Sequence, residues 1–124
     1  MPEVVALRSD GLFVGDGSGD DFRATRYAAI DAATSGDNTA VSAVTGKKIR
    51  VLSCFMVAAG AVNARFESGA GGTALTGQMK LTTNGGFVLP FNAGGWFETA
   101  AGSLLNLELS GAVSVDGSLS YILV

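Results

Sequence analysis

Ala61-Val62-Asn63-Ala64-Arg65-Phe66-Glu67-Ser68 is the stretch that decides the fold, because apolar and polar residues alternate strictly from Val62 to Glu67. Successive side chains of an extended chain point to opposite sides, so Val62, Ala64 and Phe66 share one face while Asn63, Arg65 and Glu67 share the other. A segment with one apolar and one polar face is a half-buried strand of an antiparallel sheet.

Working outward, Leu105, Leu107 and Leu109 alternate in the same way with Asn106, Glu108 and Ser110 and predict a second half-buried strand. Two other segments carry apolar residues at both parities. In Ile49 to Ala58, Val51, Phe55 and Val57 stand against Leu52, Cys54 and Met56; in Leu119 to Val124, Leu119, Tyr121 and Leu123 stand against Ile122 and Val124. Such strands are expected to be covered on both faces, and a two-layer sandwich supplies only one cover. The second cover is expected from another subunit or from the arm described below.

Further strands are predicted at Tyr27 to Ala33, Thr39 to Val44, Gln78 to Thr82, Gly86 to Phe91, Trp96 to Thr99 and Val113 to Val115. Clusters of Gly, Asn, Asp and Ser separate them, and no segment sustains the three- and four-residue apolar spacing of a helix. The fold class is therefore all-β, an antiparallel β-sandwich of jelly-roll type with about eight strands spanning residues 27–124.

Residues 1–26 read differently. Leu12-Phe13-Val14 is followed by Gly15-Asp16-Gly17-Ser18-Gly19-Asp20-Asp21, a run whose glycines disfavour a helix. This is expected to be an extended N-terminal arm with a joint. Its apolar triplet Leu12, Phe13 and Val14 is a candidate binding element, for its own subunit or for a partner.

Composition narrows the function. Of the 124 residues 48% are hydrophobic and only 15% charged, well under the roughly 25% charged residues of an average soluble protein. Faces covered by partners suit such a chain better than a free, highly solvated surface. The net charge of −3 argues against nucleic acid, whose binding needs clustered Lys and Arg; the densest basic stretch, Lys47-Lys48-Ile49-Arg50, is short. No apolar run is long enough for a membrane-spanning helix, no signal peptide is visible, and an unsecreted product assembled inside a cell is expected.

Chemistry is sparse. The chain has no His, and its single cysteine, Cys54, lies in an apolar run and is expected to be buried and inert. Glu67 and Glu108 fall on polar strand faces and are expected to be solvated; Glu98, between Phe97 and Thr99, is the one carboxylate with an unusual setting. Asp16, Ser18 and Asp20 loosely follow a calcium-loop spacing, but Tyr27 stands where the closing Glu belongs. The runs Gly69-Ala70-Gly71-Gly72 and Asn92-Ala93-Gly94-Gly95 lack the Lys and Ser or Thr of a phosphate loop and read as turns. Neither catalytic residues nor a cofactor or metal is expected. Phe87, Phe91, Trp96 and Phe97 form an aromatic group around Pro90, in which Trp96 and Phe97 are candidate partner-binding residues.

Several segments carry a family resemblance. They are Gly46-Lys47-Lys48-Ile49-Arg50-Val51-Leu52, Phe66-Glu67-Ser68-Gly69, Thr73-Ala74-Leu75-Thr76-Gly77 and Asn84-Gly85-Gly86, then Trp96-Phe97-Glu98-Thr99-Ala100-Ala101-Gly102, Leu105-Asn106-Leu107 and Val113 to Gly117. Together they resemble the small head decoration, or cement, proteins of tailed bacteriophages. The resemblance implies a jelly-roll-like sandwich that trimerises on the outer capsid surface and reinforces contacts between major capsid proteins. The arm lies outside it. The alternative expectation is a carbohydrate- or receptor-binding β-module of a phage head fibre or tail, using Trp96, Phe97 and Glu98.

Overall fold

The computed structural model describes residues 23–124, and these contain ten strands and no helix. The strands are β1 (Arg26–Ala32), β2 (Gly36–Val41), β3 (Ile49–Ala58), β4 (Val62–Ser68), β5 (Thr73–Ala74), β6 (Met79–Leu81), β7 (Gly86–Leu89), β8 (Phe97–Glu98), β9 (Leu105–Leu109) and β10 (Val115–Leu123). One sheet runs β1-β10-β3-β7, with β8 also on β3; the other runs β2-β9-β4-β5, with β6 also on β4. Every pairing is antiparallel.

The pairings nest. First pairs with last (β1 with β10), second with second-last (β2 with β9), then β3 with β7 and β8, then β4 with β5 and β6. This is the jelly-roll order, and the eight expected positions become ten strands because two edge positions are each split in two. The two-residue β5, Thr73–Ala74, escapes the sequence reading; the expected Val113 to Val115 strand is instead the entrance to β10.

The core lies between the sheets. Val62, Ala64 and Phe66 of β4 are buried in it, as are Leu105, Leu107 and Leu109 of β9, so the alternation that predicts these strands also gives their inward faces. From the other sheet come Ile30, Ile49, Val51, Cys54, Met56, Val115 and Leu119.

The two doubly apolar segments have a different explanation from double burial alone. Opposite Ser120 and Tyr121 the register of β3 slips by one, because Ser120 faces Ser53 while Tyr121 faces Val51 and Leu52 is left over. This bulge switches parity: Ile49 and Val51 face the core before it, and Cys54, Met56 and Ala58 face the core after it. Leu52 and Ile122 are buried but stand apart from the core cluster, so those two positions do have cover on the second face. Phe55 and Val57 do not; they are half exposed, which corrects the expectation of complete burial for Ile49 to Ala58.

The loop between β6 and β7 shows how local chemistry closes an edge. Asn84 takes a left-handed backbone conformation (φ 61°), which Asn tolerates better than other side-chain-bearing residues. Its N–H donates to Ala58 O at 2.8 Å, and the Gly85 N–H donates to Thr82 O at 2.8 Å. Among the described residues no helix is long and apolar enough to cross a membrane.

Candidate binding surface

Split edge strands leave the sandwich open along one side. There Phe87 and Leu89 of β7, Trp96 and Phe97 beside β8, Phe66 of β4 and Leu75, Thr76 and Met79 near β5 and β6 surround a cleft of about 440 Å³. Its floor is the stacked pair Phe66 and Phe97, whose ring centroids are 5.0 Å apart and which join the two sheets. The volume lies in the range of small-ligand sites, and the lining is almost wholly apolar.

The polar atoms at the rim are engaged. Trp96 Nε1 donates to Pro90 O at 2.8 Å, and Thr76 Oγ1 accepts from the Phe66 N–H at 3.1 Å while donating to Gly77 O at 3.0 Å. With those groups engaged, this lining favours an apolar occupant. Of the residues singled out in the sequence, Trp96 and Phe97 are brought together here; Phe91 is exposed, and Leu12, Phe13 and Val14 lie outside the described residues.

A second apolar surface lies on the outer face of the β1-β10-β3-β7 sheet. Phe55 sits between Ser118 of β10 and Val88 of β7, with Val57 two residues along the same face. Val88 is 73% exposed, Phe55 52% and Val57 49%. Around Phe55 the face is small and uncharged, with Ala29, Ser53, Ser118 and Ser120 in register; Val57 faces Asp116, with Asp31 beyond it on β1, and Tyr27, 77% exposed, lies toward the β1 edge. The sequence signal for this patch is the unbroken apolar run Phe87-Val88-Leu89 in an edge strand, where inward demand accounts for Phe87 and Leu89 only.

The carboxylates are organised for structure. Glu98 Oε1 accepts from Arg50 Nε at 2.7 Å, and its Oε2 lies 3.7 Å from Lys48 Nζ, so both oxygens face cations. Glu67 overturns the expectation of a solvated residue: it is fully buried. Its Oε1 accepts from Asn106 Nδ2 and its Oε2 from Arg65 Nε, each at 2.8 Å. Asn106, also fully buried, donates as well to Asp37 Oδ1 at 2.8 Å and accepts from the Asn38 N–H at 2.9 Å.

Carboxylate oxygens of Asp37, Glu67 and Glu108 lie within 4.8 Å of one another, the spacing of a cation site. Arg65 already serves as the cation: besides its bond to Glu67, its guanidinium is 3.6 Å from Glu108 Oε2. The Glu67 carboxylate in turn holds Arg65 above its ordinary, already high pKa. The Asp16, Ser18 and Asp20 spacing lies outside the described residues.

Cys54 is buried, as expected, and burial pushes its thiol up to about 12. Comparison with protein families, curated proteins and solved structures finds no match to this chain.

Proposed function

We propose that this chain is a non-catalytic structural protein that decorates the outer surface of a tailed-phage capsid as an oligomer, a trimer by the family resemblance, and stabilises the lattice of major capsid protein. The observation that carries the reading is the outer-face patch of Phe55, Val57 and Val88, an apolar surface on a chain with few charges. Grouped exposed apolar side chains mark a surface that a partner covers. The pairing of Glu98 and Glu67 with cations and amides supports a structural reading of the carboxylates.

The mechanism is linkage. A protein that binds the assembled lattice and not its dispersed subunits stabilises the lattice by RT ln(1 + [L]/Kd), about 4 kcal/mol per site at a thousandfold excess over Kd. Repetition over many sites multiplies the effect. The alternative, a carbohydrate- or receptor-binding module built on Trp96, Phe97 and Glu98, has less support because Trp96 Nε1 and both Glu98 oxygens are engaged within the chain.

The test is to mix purified protein with capsids stripped of it, then measure co-sedimentation and resistance to heat and chelator. Binding with protection is expected. Absence of both removes the reading, and glycan binding abolished by Trp96→Ala would favour the alternative.

A further inference from the structure

A wide apolar gap between packed layers is destabilising, so its walls close on it unless something holds them apart. Both walls of the 440 Å³ cleft are held. On one side the Trp96 N–H donates to Val51 O at 2.8 Å, the Asn92 N–H to Leu52 O at 2.9 Å and the indole Nε1 to Pro90 O at 2.8 Å, which ties the turn carrying Trp96 to β3. On the other side the Leu75 N–H donates to Phe66 O at 2.8 Å, and the Thr76 hydroxyl accepts from the Phe66 N–H at 3.1 Å. Met79 is fixed to the same strand, β4, by its pairing with Ala64. Neither wall moves inward without breaking bonds to a core strand, so the cleft is built into the fold.

The lining selects the chemistry of the ligand. Phe66, Phe87, Trp96 and Phe97 supply four aromatic rings, and Met79 adds a polarisable thioether. No lining side chain is charged, and the adjoining Glu98 is held by Arg50 and Lys48. The polar atoms of Trp96 and Thr76 are engaged within the chain, so an ionic group or a sugar hydroxyl would lose water here without finding a side-chain partner. Rings suit the site better than a flexible alkyl chain, because they stack against the aromatic walls and have few rotatable bonds to immobilise. The cleft is about three times the size of the roughly 150 Å³ cavity that admits benzene, which gives room for about two or three rings.

We infer that this cleft is a binding site for an uncharged small molecule of about two or three aromatic rings, seated on the stacked Phe66 and Phe97 with Trp96 at its mouth. The inference concerns the single chain and does not depend on the proposed capsid role.

The probe is N-phenyl-1-naphthylamine, an uncharged ring compound whose emission rises in apolar surroundings. Titration into the full-length protein is expected to show one saturable site per chain and to raise Tm by several degrees. Methyl-labelled methionine locates the site by NMR. The Met79 resonance is expected to shift as the probe saturates, while that of Met56, 1% exposed in the core, holds its position. Leu75→Arg, which sets a long charged side chain in the lining, is expected to weaken binding by about tenfold or more. Absence of saturable binding would overturn the inference. Saturation that leaves the Met79 resonance in place would do the same, because the probe then sits elsewhere, as would unchanged affinity in folded Leu75→Arg. The Met79 measurement uses the wild-type protein and stands if that variant misfolds.

Discussion

Glu67 and Asn106 are joined by a 2.8 Å hydrogen bond although both sit on the side of their sheet opposite the core residues Phe66, Leu105 and Leu107, and neither is accessible to solvent. Their strands are adjacent, with Glu67 opposite Asn106 in the β4–β9 register. A buried carboxylate is tolerated only when its oxygens are bonded, and here Asn106 and Arg65 each supply a donor.

Removing the carboxylate therefore leaves a buried amide and a guanidinium without their acceptor. Glu67→Ala is expected to destabilise the domain by about 2–3 kcal/mol, below the upper range for buried ion pairs because Arg65 is one-third exposed and regains water. Glu108→Ala, which loses a 3.6 Å contact at a partly exposed site, is expected to cost under about 1 kcal/mol. Urea unfolding of the two variants checks the ratio; equal losses would mean that the Glu67–Asn106 bond has no special weight.

Gly117 is a glycine that the pairing of the two central strands requires. It lies in β10 between Ile30 and Met56, and a Cβ at this position would stand 1.9 Å from the Phe55 carbonyl oxygen. That obstacle is backbone of a paired strand and has no flexible end to move aside. Gly117→Ala is expected to cost about 3 kcal/mol or more, roughly ten degrees in Tm for a domain of this size. Gly111→Ala, with nothing within 4 Å of the added atom, is expected to be near neutral. Calorimetry on the pair tests this, and similar Tm values would refute the strand spacing described.

Cys54 gives stability a pH dependence on the alkaline side. Burial pushes its thiol up from 9.0 to about 12, so the folded state holds the proton over that interval while the unfolded state releases it. The stabilisation is complete below about pH 9 and declines as pH rises toward about pH 12. Comparison of unfolding curves for wild type and Cys54→Ala is expected to show a steeper alkaline loss in wild type. A thiol reagent at neutral pH is expected to label Cys54 only after denaturant is added, because the thiolate is the reactive form; rapid labelling of the native protein would contradict its burial.

How far the sequence reveals this molecule depends on what each signal measures. Alternation in Val62-Asn63-Ala64-Arg65-Phe66 and in Leu105-Asn106-Leu107 reports side-chain direction, and both strands lie where it places them. It cannot report what covers the polar side, and so Glu67 and Asn106 read as wet when they bury each other across a sequence gap of 39 residues. The bulge at Leu52 imitates double burial because a one-residue slip puts apolar residues at both parities. Trp96 and Phe97 are visible as an aromatic pair, but the cleft they line needs Leu75 and Met79 from the facing sheet, and only the pairing of β3 with β8 and of β4 with β6 brings those segments opposite each other.

The outer-face patch separates association from folding. Phe55 and Val57 point away from the core and are half exposed in the single chain, so replacing both by Lys removes little burial and is expected to change folding stability by less than about 1 kcal/mol. In an assembled interface a lysine at position 55, between Ser118 and Val88, would hold an unpaired charge away from water at a cost of several kcal/mol, whereas one at position 57 stands opposite Asp116 and is partly offset by it. Phe55→Lys/Val57→Lys is therefore expected to shift the native mass from oligomer to monomer with Tm nearly retained, whereas Ala70→Lys, in an exposed turn after β4, is expected to leave the mass unchanged. Light scattering behind size exclusion reads both variants. If wild type and Phe55→Lys/Val57→Lys share one mass, this face does not mediate self-association, and the exposed run through Phe55, Val57 and Val88 must meet a different partner.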